Sequence, residues 1–258
     1  MLRKRIIFSL IYSDGYFMQS RNFRLQKVGN LNWLEKYYKF QSISFSIDEL
    51  IILNASKSNK SIIEFAQTIS NLVNDVFIPI AAGGGIRCIE DADLLFKNGA
   101  DKIVLNSILI ENPNLVKLLV QKYGSQSIVA SIDFKLFKGK PEVYINDGTV
   151  RISMSLLDYL NYLESLEVGE IYFNSIDKDG TGFGYDIESI SILNDKIKLP
   201  LIIAGGAGNE HHLMEGLKMK GVSAVATANL FNFIGNGLPN ARNKILNNGE
   251  NIANWNNL

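Results

Sequence analysis

The residues best suited to chemistry in this 258-residue chain stand just after short apolar runs. Asp133 follows Ile128-Val129-Ala130-Ser131-Ile132. A carboxylate held at the end of a buried run suits general acid or base work; an aspartate that merely caps a loop is the plainer alternative. Two glycine clusters, Gly83-Gly84-Gly85 and Gly205-Gly206 with Gly208, follow similar runs. Glycine leaves backbone N–H groups free to line a concave anion site, and a helix starting just beyond adds its dipole. The same clusters also serve as tight turns. Asn106-Ser107 and Ala228-Asn229 end two further runs and offer polar groups to an anion. The segment Asp177-Lys178-Asp179-Gly180-Thr181-Gly182 ends another, and reads either as a site loop or as a solvated turn.

A second set lies where such runs begin: Arg5, Glu49, Lys102 and Glu170. Two cations and two anions neutralise each other, as buried charges require. A structural ring of salt bridges is the simpler reading, and a gate over an axial passage the sharper one. His211 and His212 read as surface residues, and Trp33 and Trp255 as packing residues. No His/Cys/Asp spacing suggests a metal, and Cys88 has no neighbouring histidine to activate it. No cofactor is implied.

These residues must be positioned by regular elements. Apolar, β-branched runs predict strands at Arg5–Leu10, Glu49–Leu53, Ile78–Ala82, Lys102–Leu105, Ile128–Ile132, Glu170–Asn174, Leu201–Ala204 and Ala224–Ala228. Amphipathic patterns predict helices at Ser61–Val73, Ile89–Lys97, Pro113–Tyr123, Met154–Leu166, Ile187–Asn194 and His211–Lys220. Asn112-Pro113 reads as a helix cap with proline in the first turn. Gly99 and Gly221 read as helix stops. Eight strands alternating with helices predict one α/β domain, a (β/α)₈ (TIM) barrel whose chemistry sits at the strands' C-terminal ends. The segment Pro79-Ile80-Ala81-Ala82-Gly83-Gly84 repeats as Pro200-Leu201-Ile202-Ile203-Ala204-Gly205, 121 residues later (200 − 79). Two half-barrels, about 1–123 and 124–245, follow from it. Each site element then occurs twice, which predicts two phosphate sites on opposite sides of the mouth. The repeat sets Ile11 opposite Asp133, so a matching carboxylate is missing; Asp14-Gly15 nearby reads as a turn.

Composition narrows the setting. Lys+Arg and Asp+Glu both number 26, which argues against a nucleic-acid partner. The single cysteine permits no internal disulfide and suits a reducing compartment. No apolar run reaches the ~18 residues of a membrane span, and the N-terminal run lacks a cleavage signal. A cytoplasmic protein without membrane contact is expected.

From Met1 to about Phe233 the chain resembles the cyclase subunit (HisF) of imidazole glycerol phosphate synthase. The resemblance rests on Arg3-Lys4-Arg5-Ile6-Ile7, Ala82-Gly83-Gly84-Gly85-Ile86, Gly99-Ala100-Asp101-Lys102, Gly124-Ser125-Gln126, Ser175-Ile176-Asp177-Lys178-Asp179-Gly180-Thr181 and Gly205-Gly206-Ala207-Gly208. It implies a glutaminase (HisH-like) partner on the lower face, forming a heterodimer. It also implies ammonia passing a charged gate and attacking a bisphosphorylated ribosyl-aminoimidazole substrate at the far face. The gate maps to Arg5, Glu49, Lys102 and Glu170, and the partner interface to Asp101. Phosphate positions map to Gly84, Gly85, Asn106, Ser107, Gly180, Gly205, Gly206 and Asn229, and substrate-facing positions to Asn54, Asp179 and Thr181. Of two family catalytic aspartates, one is Asp133 and the other falls on Ile11. A family lysine falls on Gln19, an aspartate on Asn54, and usual serines on Ala204 and Asn229. This pattern is similar to a variant class that occurs with an N-acetyl-sugar amidotransferase and supplies ammonia for amidino groups on surface-glycan sugars. Leu10-Ile11 and Asn174-Ser175-Ile176-Asp177 carry that likeness.

Overall fold

The computed structural model describes residues 2–56, 62–193 and 196–255. Strand β1 (Arg5–Ser13) runs into a hairpin, β2 (Tyr16–Arg21) and β3 (Arg24–Gly29). Helices α1 (Leu31–Tyr38) and α2 (Phe40–Ile43) lead to β4 (Glu49–Asn54). Then α3 (Ile62–Val73) precedes β5 (Ile80–Gly83), and α4 (Ile89–Lys97) precedes β6 (Lys102–Leu105). Helices α5 (Ile108–Glu111) and α6 (Pro113–Tyr123) lead to β7 (Ile128–Phe137), which runs into β8 (Lys140–Ile145) and β9 (Val150–Arg151). The order continues α7 (Leu156–Ser165), β10 (Glu170–Ser175), α8 (Ile187–Ser191), β11 (Leu201–Ala204), α9 (Glu210–Lys218), β12 (Val222–Thr227) and α10 (Gly237–Asn247).

Eight of these strands are parallel neighbours in the order β1, β4, β5, β6, β7, β10, β11, β12. The circle closes where Arg5 of β1 pairs with Ala224 of β12. The expected (β/α)₈ barrel is therefore the fold. The elements sit within a few residues of their expected places. The expected ends Ser61 and Asn194 lie outside the described residues. Asn112 caps α6 by accepting the Leu115 N–H at 3.1 Å.

The two hairpins are the correction. Strands one and five were expected to stop at Leu10 and Ile132, but β1 and β7 continue to Ser13 and Phe137 and fold back. The turns are Asp14-Gly15 and Lys138-Gly139, all four residues with positive φ, the backbone that suits a tight two-residue hairpin. Beyond the barrel one face of each strand meets solvent. The continuous apolar run that marks a doubly buried strand therefore ends before the strand does.

Period-two alternation divides the core. Ile6, Phe8 and Leu10 pack outward against the helices, while Ile7, Ile51, Val104, Val129, Tyr172 and Ile202 fill the bore. One buried charge ties the chain's end to this frame. Arg242 of α10 is 2% exposed and donates to both Asp48 oxygens, at 2.9 and 3.1 Å, and to the Ser46 and Ala253 carbonyls. Asp48 in turn accepts the Ile6 N–H at 2.7 Å. Arg242→Ala, which leaves Asp48 buried beside an empty space, is expected to cost about 3–5 kcal/mol, read by urea denaturation against Lys244→Ala as a surface control.

Candidate active site

Inward residues stack along the bore in register. Lowest is the charged quartet. Each carboxylate bridges both cations: Glu49 accepts from Arg5 at 2.5 Å and from Lys102 at 2.9 Å, and Glu170 accepts from Lys102 at 3.0 Å and from Arg5. The Glu49 and Glu170 side chains are 3% and 7% exposed. Burial works against the Arg5 charge, but its hydrogen bonds and charge pairing with Glu170 and Glu49 outweigh that and raise its pKa. The expected ring exists, and it spans the lower end of the bore. Asp101 is exposed on the same rim, where one carboxylate oxygen accepts the Ile80 N–H at 2.8 Å.

At the upper end the strand termini enclose a cavity of about 330 Å³, a size that holds small ligands. Ile11, Asn54, Gly84, Gly85, Asn106, Ser107, Asp133, Asp179, Gly180, Gly205, Gly206 and Asn229 all line it, so the structure brings these expected residues together. Thr181 is the exception. It lies outside the lining, and its hydroxyl turns back to the Lys178 carbonyl at 2.8 Å, completing its own turn.

Asp133 is held from both flanks. Asn174 of β10 donates to one oxygen at 3.0 Å and Asn106 to the other at 3.1 Å. Burial pushes its pKa up to about 7; the Asn174 hydrogen bond opposes the rise and the charges of Asp179 and Asp147 add to it. Such a group can both give and take a proton near neutrality. Ile11 faces the same cavity and supplies no second carboxylate. Asp179 does not replace it, because its carboxylate accepts from the Ser20 hydroxyl and from the Phe23 N–H at 3.1 Å. This aspartate pins the β2–β3 hairpin over the cavity. Asp179 thus lines the cavity as expected and also holds the hairpin. Asn54 is part-committed: its oxygen accepts from Ser56 N–H and hydroxyl, while its Nδ2 is buried without a partner among the described residues.

The glycine clusters have conformational reasons. Gly84 has φ +92°, and a Cβ there would stand 2.1 Å from the Asn54 carbonyl oxygen; Gly206 has φ +107°, and a Cβ would stand 2.0 Å from that of Gly184. Each lets bare backbone line the cavity at a place no side chain fits. Asn229 lines the cavity, and its Oδ1 accepts from the N–H groups of Phe231 and Asn232, capping its own loop. Sequence reasoning quoted Asn174 only in a family likeness and gave Asn174, Ser9 and Tyr172 no place in the site. Ser9 and Tyr172 also line the cavity, hydrogen-bonded to each other at 3.1 Å. Counting by twos from Glu170 and Arg5 identifies all three as inward residues. Among the described residues no cluster of three His, Cys, Asp or Glu side chains could hold a metal, and no helix is long and apolar enough to cross a membrane.

A closed eight-stranded barrel with paired glycine loops at its mouth and a charge ring at its base defines a (β/α)₈ barrel with a small-ligand cavity at the C-terminal ends of its strands. Comparison with known proteins narrows the class. Residues 13–235 match the model of the histidine biosynthesis protein family. The chain is 44% identical over 256 residues, 99% of its length and 95% of the relative's, to a provisionally named imidazole glycerol phosphate synthase subunit hisF2 of Parasynechococcus marenigrum. It is 39% identical to the HisF subunit of that synthase in Pyrobaculum aerophilum, covering 72% of this chain and 73% of the relative. Against the Flavobacterium johnsoniae HisF subunit it is 35% identical, with 90% and 92% covered. The chain belongs to the histidine biosynthesis protein family, among the HisF subunits.

Asp133 gives a pH signature. Its folded pKa lies above the unfolded value of about 3.9, so its ionisation opposes folding. Its contribution therefore falls as pH rises from about 4 to about 7. Asp133→Asn is expected to flatten stability across that window and to exceed the parent above pH 7, measured by urea denaturation at stepped pH. A parent curve unchanged by the substitution would show that Asp133 titrates normally.

Proposed function

We propose that this chain is the barrel subunit of a glutamine amidotransferase complex. A glutaminase subunit docks on the lower rim, near Asp101. The ammonia it releases passes the quartet and the bore to an acceptor in the upper cavity. The observation that carries this reading is the quartet itself, a neutral, alternating ring closing the bore below the cavity. An ion entering the ring meets a like charge and must lose its water, whereas neutral ammonia needs only a brief parting of one bridge. Leu2 and Phe77, 93% and 82% exposed, precede β1 and β5 and offer that rim apolar contact surface. The half-barrels 1–123 and 124–245 are part of the reading, supported by hairpins in matching places on strands one and five.

The acceptor is phosphorylated or sugar-linked, and the product serves amidino-sugar formation, with an N-acetyl-sugar amidotransferase as a further partner. Ile11 supports this choice. An isoleucine moves no proton, and one acid–base group is typically worth roughly 10²–10⁴ in rate. A second reading, cyclase action in histidine biosynthesis, is favoured by Asp133, held ready near neutral pH, and by the identity to HisF subunits.

Two measurements decide. Purified protein with ammonia and the bisphosphorylated ribosyl-aminoimidazole substrate is expected to turn over roughly 10²–10⁴-fold below ordinary cyclase rates, and Ile11→Asp to recover part of the loss. Ordinary turnover by the parent would establish the cyclase reading instead. In the assembled complex, Lys102→Ala and Glu170→Gln are expected to lower product formed from glutamine while glutamine hydrolysis continues. Unchanged coupling would leave the ring purely structural.

A further inference from the structure

Between the quartet and the upper cavity the bore is interrupted a second time. The cavity lining reaches down to Ser9 of β1 and Tyr172 of β10. It includes none of Ile7, Ile51, Val129 and Ile202, the buried apolar side chains of the bore beside and below them. The two strands do not adjoin. Around the closed barrel, β11 and β12 separate them on one side, and β4, β5, β6 and β7 on the other. The hydrogen bond between Ser9 Oγ and the Tyr172 hydroxyl, at 3.1 Å, therefore crosses the bore.

The neighbours fit such a bar. Ala204 of β11 and Ala224 and Ala226 of β12 share the bore with the Tyr172 ring, and their small side chains leave it room to reach β1. Both Ser9 and Tyr172 are buried. Burial raises the Tyr172 pKa, the Ser9 hydrogen bond opposes the rise, and the charges of Asp133 and Asp179 add to it. The phenol thus keeps its proton, and the bar is uncharged.

Neutral ammonia can take the place of the bond it meets there. Its lone pair accepts the Tyr172 O–H while one of its own N–H groups donates to Ser9 Oγ, so two hydrogen bonds replace one. Ammonium has no lone pair for the phenol proton. Its charge must also leave water and cross the apolar stretch at Ile7, Ile51, Val129 and Ile202.

We propose that Ser9 and Tyr172 form a second, uncharged gate across the bore, which ammonia opens by exchanging hydrogen bonds with the two hydroxyls. The inference rests on the reading of the bore as an ammonia conduit, and adds to it a step above the quartet.

The test uses the complex with its glutaminase subunit and the bisphosphorylated ribosyl-aminoimidazole substrate. Glutamine labelled with nitrogen-15 at the amide competes with an excess of unlabelled ammonium chloride. The isotope ratio of the product reads the share of nitrogen that came through the bore, however slow the turnover. The parent is expected to form product richer in the label than the ammonium in solution. Tyr172→Phe combined with Ser9→Ala keeps a ring across the bore and removes both hydroxyls, so neither is left unpaired. This double variant is expected to lower the ratio roughly threefold to tenfold, the scale of one or two hydrogen bonds. Tyr172→Ala removes the bar and is expected to return the ratio to the parent's or above, whereas a purely structural pair would make it the more damaging change. Thermal denaturation confirms that each variant folds. A double variant with the parent's ratio, when Lys102→Ala lowers it, overturns the gate and leaves the conduit standing. So does a Tyr172→Ala ratio below that of the double variant. Parent product labelled no more than the ammonium in solution removes the conduit reading and this inference with it.

Discussion

Closure of the eight-stranded sheet is the constraint on which the rest depends. Once β12 pairs with β1, every second residue of every strand points into a bore just wide enough for side chains. Nothing placed there can be casual, because a charge must find its partner and a polar group its hydrogen bond inside the same column. The quartet, the Ser9–Tyr172 pair and the Asn-held Asp133 are three solutions to that demand at successive heights. The apolar shell outside the strands, including Phe8, Leu10 and the helices, bears the cost of closing the barrel and leaves the bore free for chemistry.

The chemistry divides between the two ends of this column. Below, full neutralisation makes a charged ring tolerable in a buried place. Above, the balance is deliberately incomplete. Asp133 is buried, and burial raises its proton affinity toward neutrality even though the Asn174 amide donates to it. Ile11 faces the same cavity and moves no proton. The β2–β3 hairpin, pinned by Asp179, brings residues from early in the chain over the same space.

Much of this was legible residue by residue. The alternation of apolar runs with amphipathic stretches gave the barrel, the 121-residue repeat gave the correspondence of Gly84 with Gly205, and the match of Ser9-Leu10-Ile11 with Ser131-Ile132-Asp133, offset by 122 (133 − 11), gave that of Ile11 with Asp133. Arg5, Glu49, Lys102 and Glu170 were recognisable because each begins an apolar run. Asp179, Thr181 and Asn229 were recognised as members of loops at the mouth, but their partners were not. Asp179 turns to the hairpin, Thr181 to its own turn and Asn229 to its own amides. The hairpins escaped notice because a strand that leaves the barrel loses the apolar continuity by which it is recognised.

The sequence by itself determined the order of elements, the face on which each strand residue lies and the isoleucine at position 11. These follow from local periodicity and residue type, which are written along one dimension. Only the tertiary structure decided which donors remain available at the mouth. That depends on contacts such as Gln19 with Leu230, made between segments 211 residues apart by closure of the barrel and the set of a hairpin, and no local pattern encodes them.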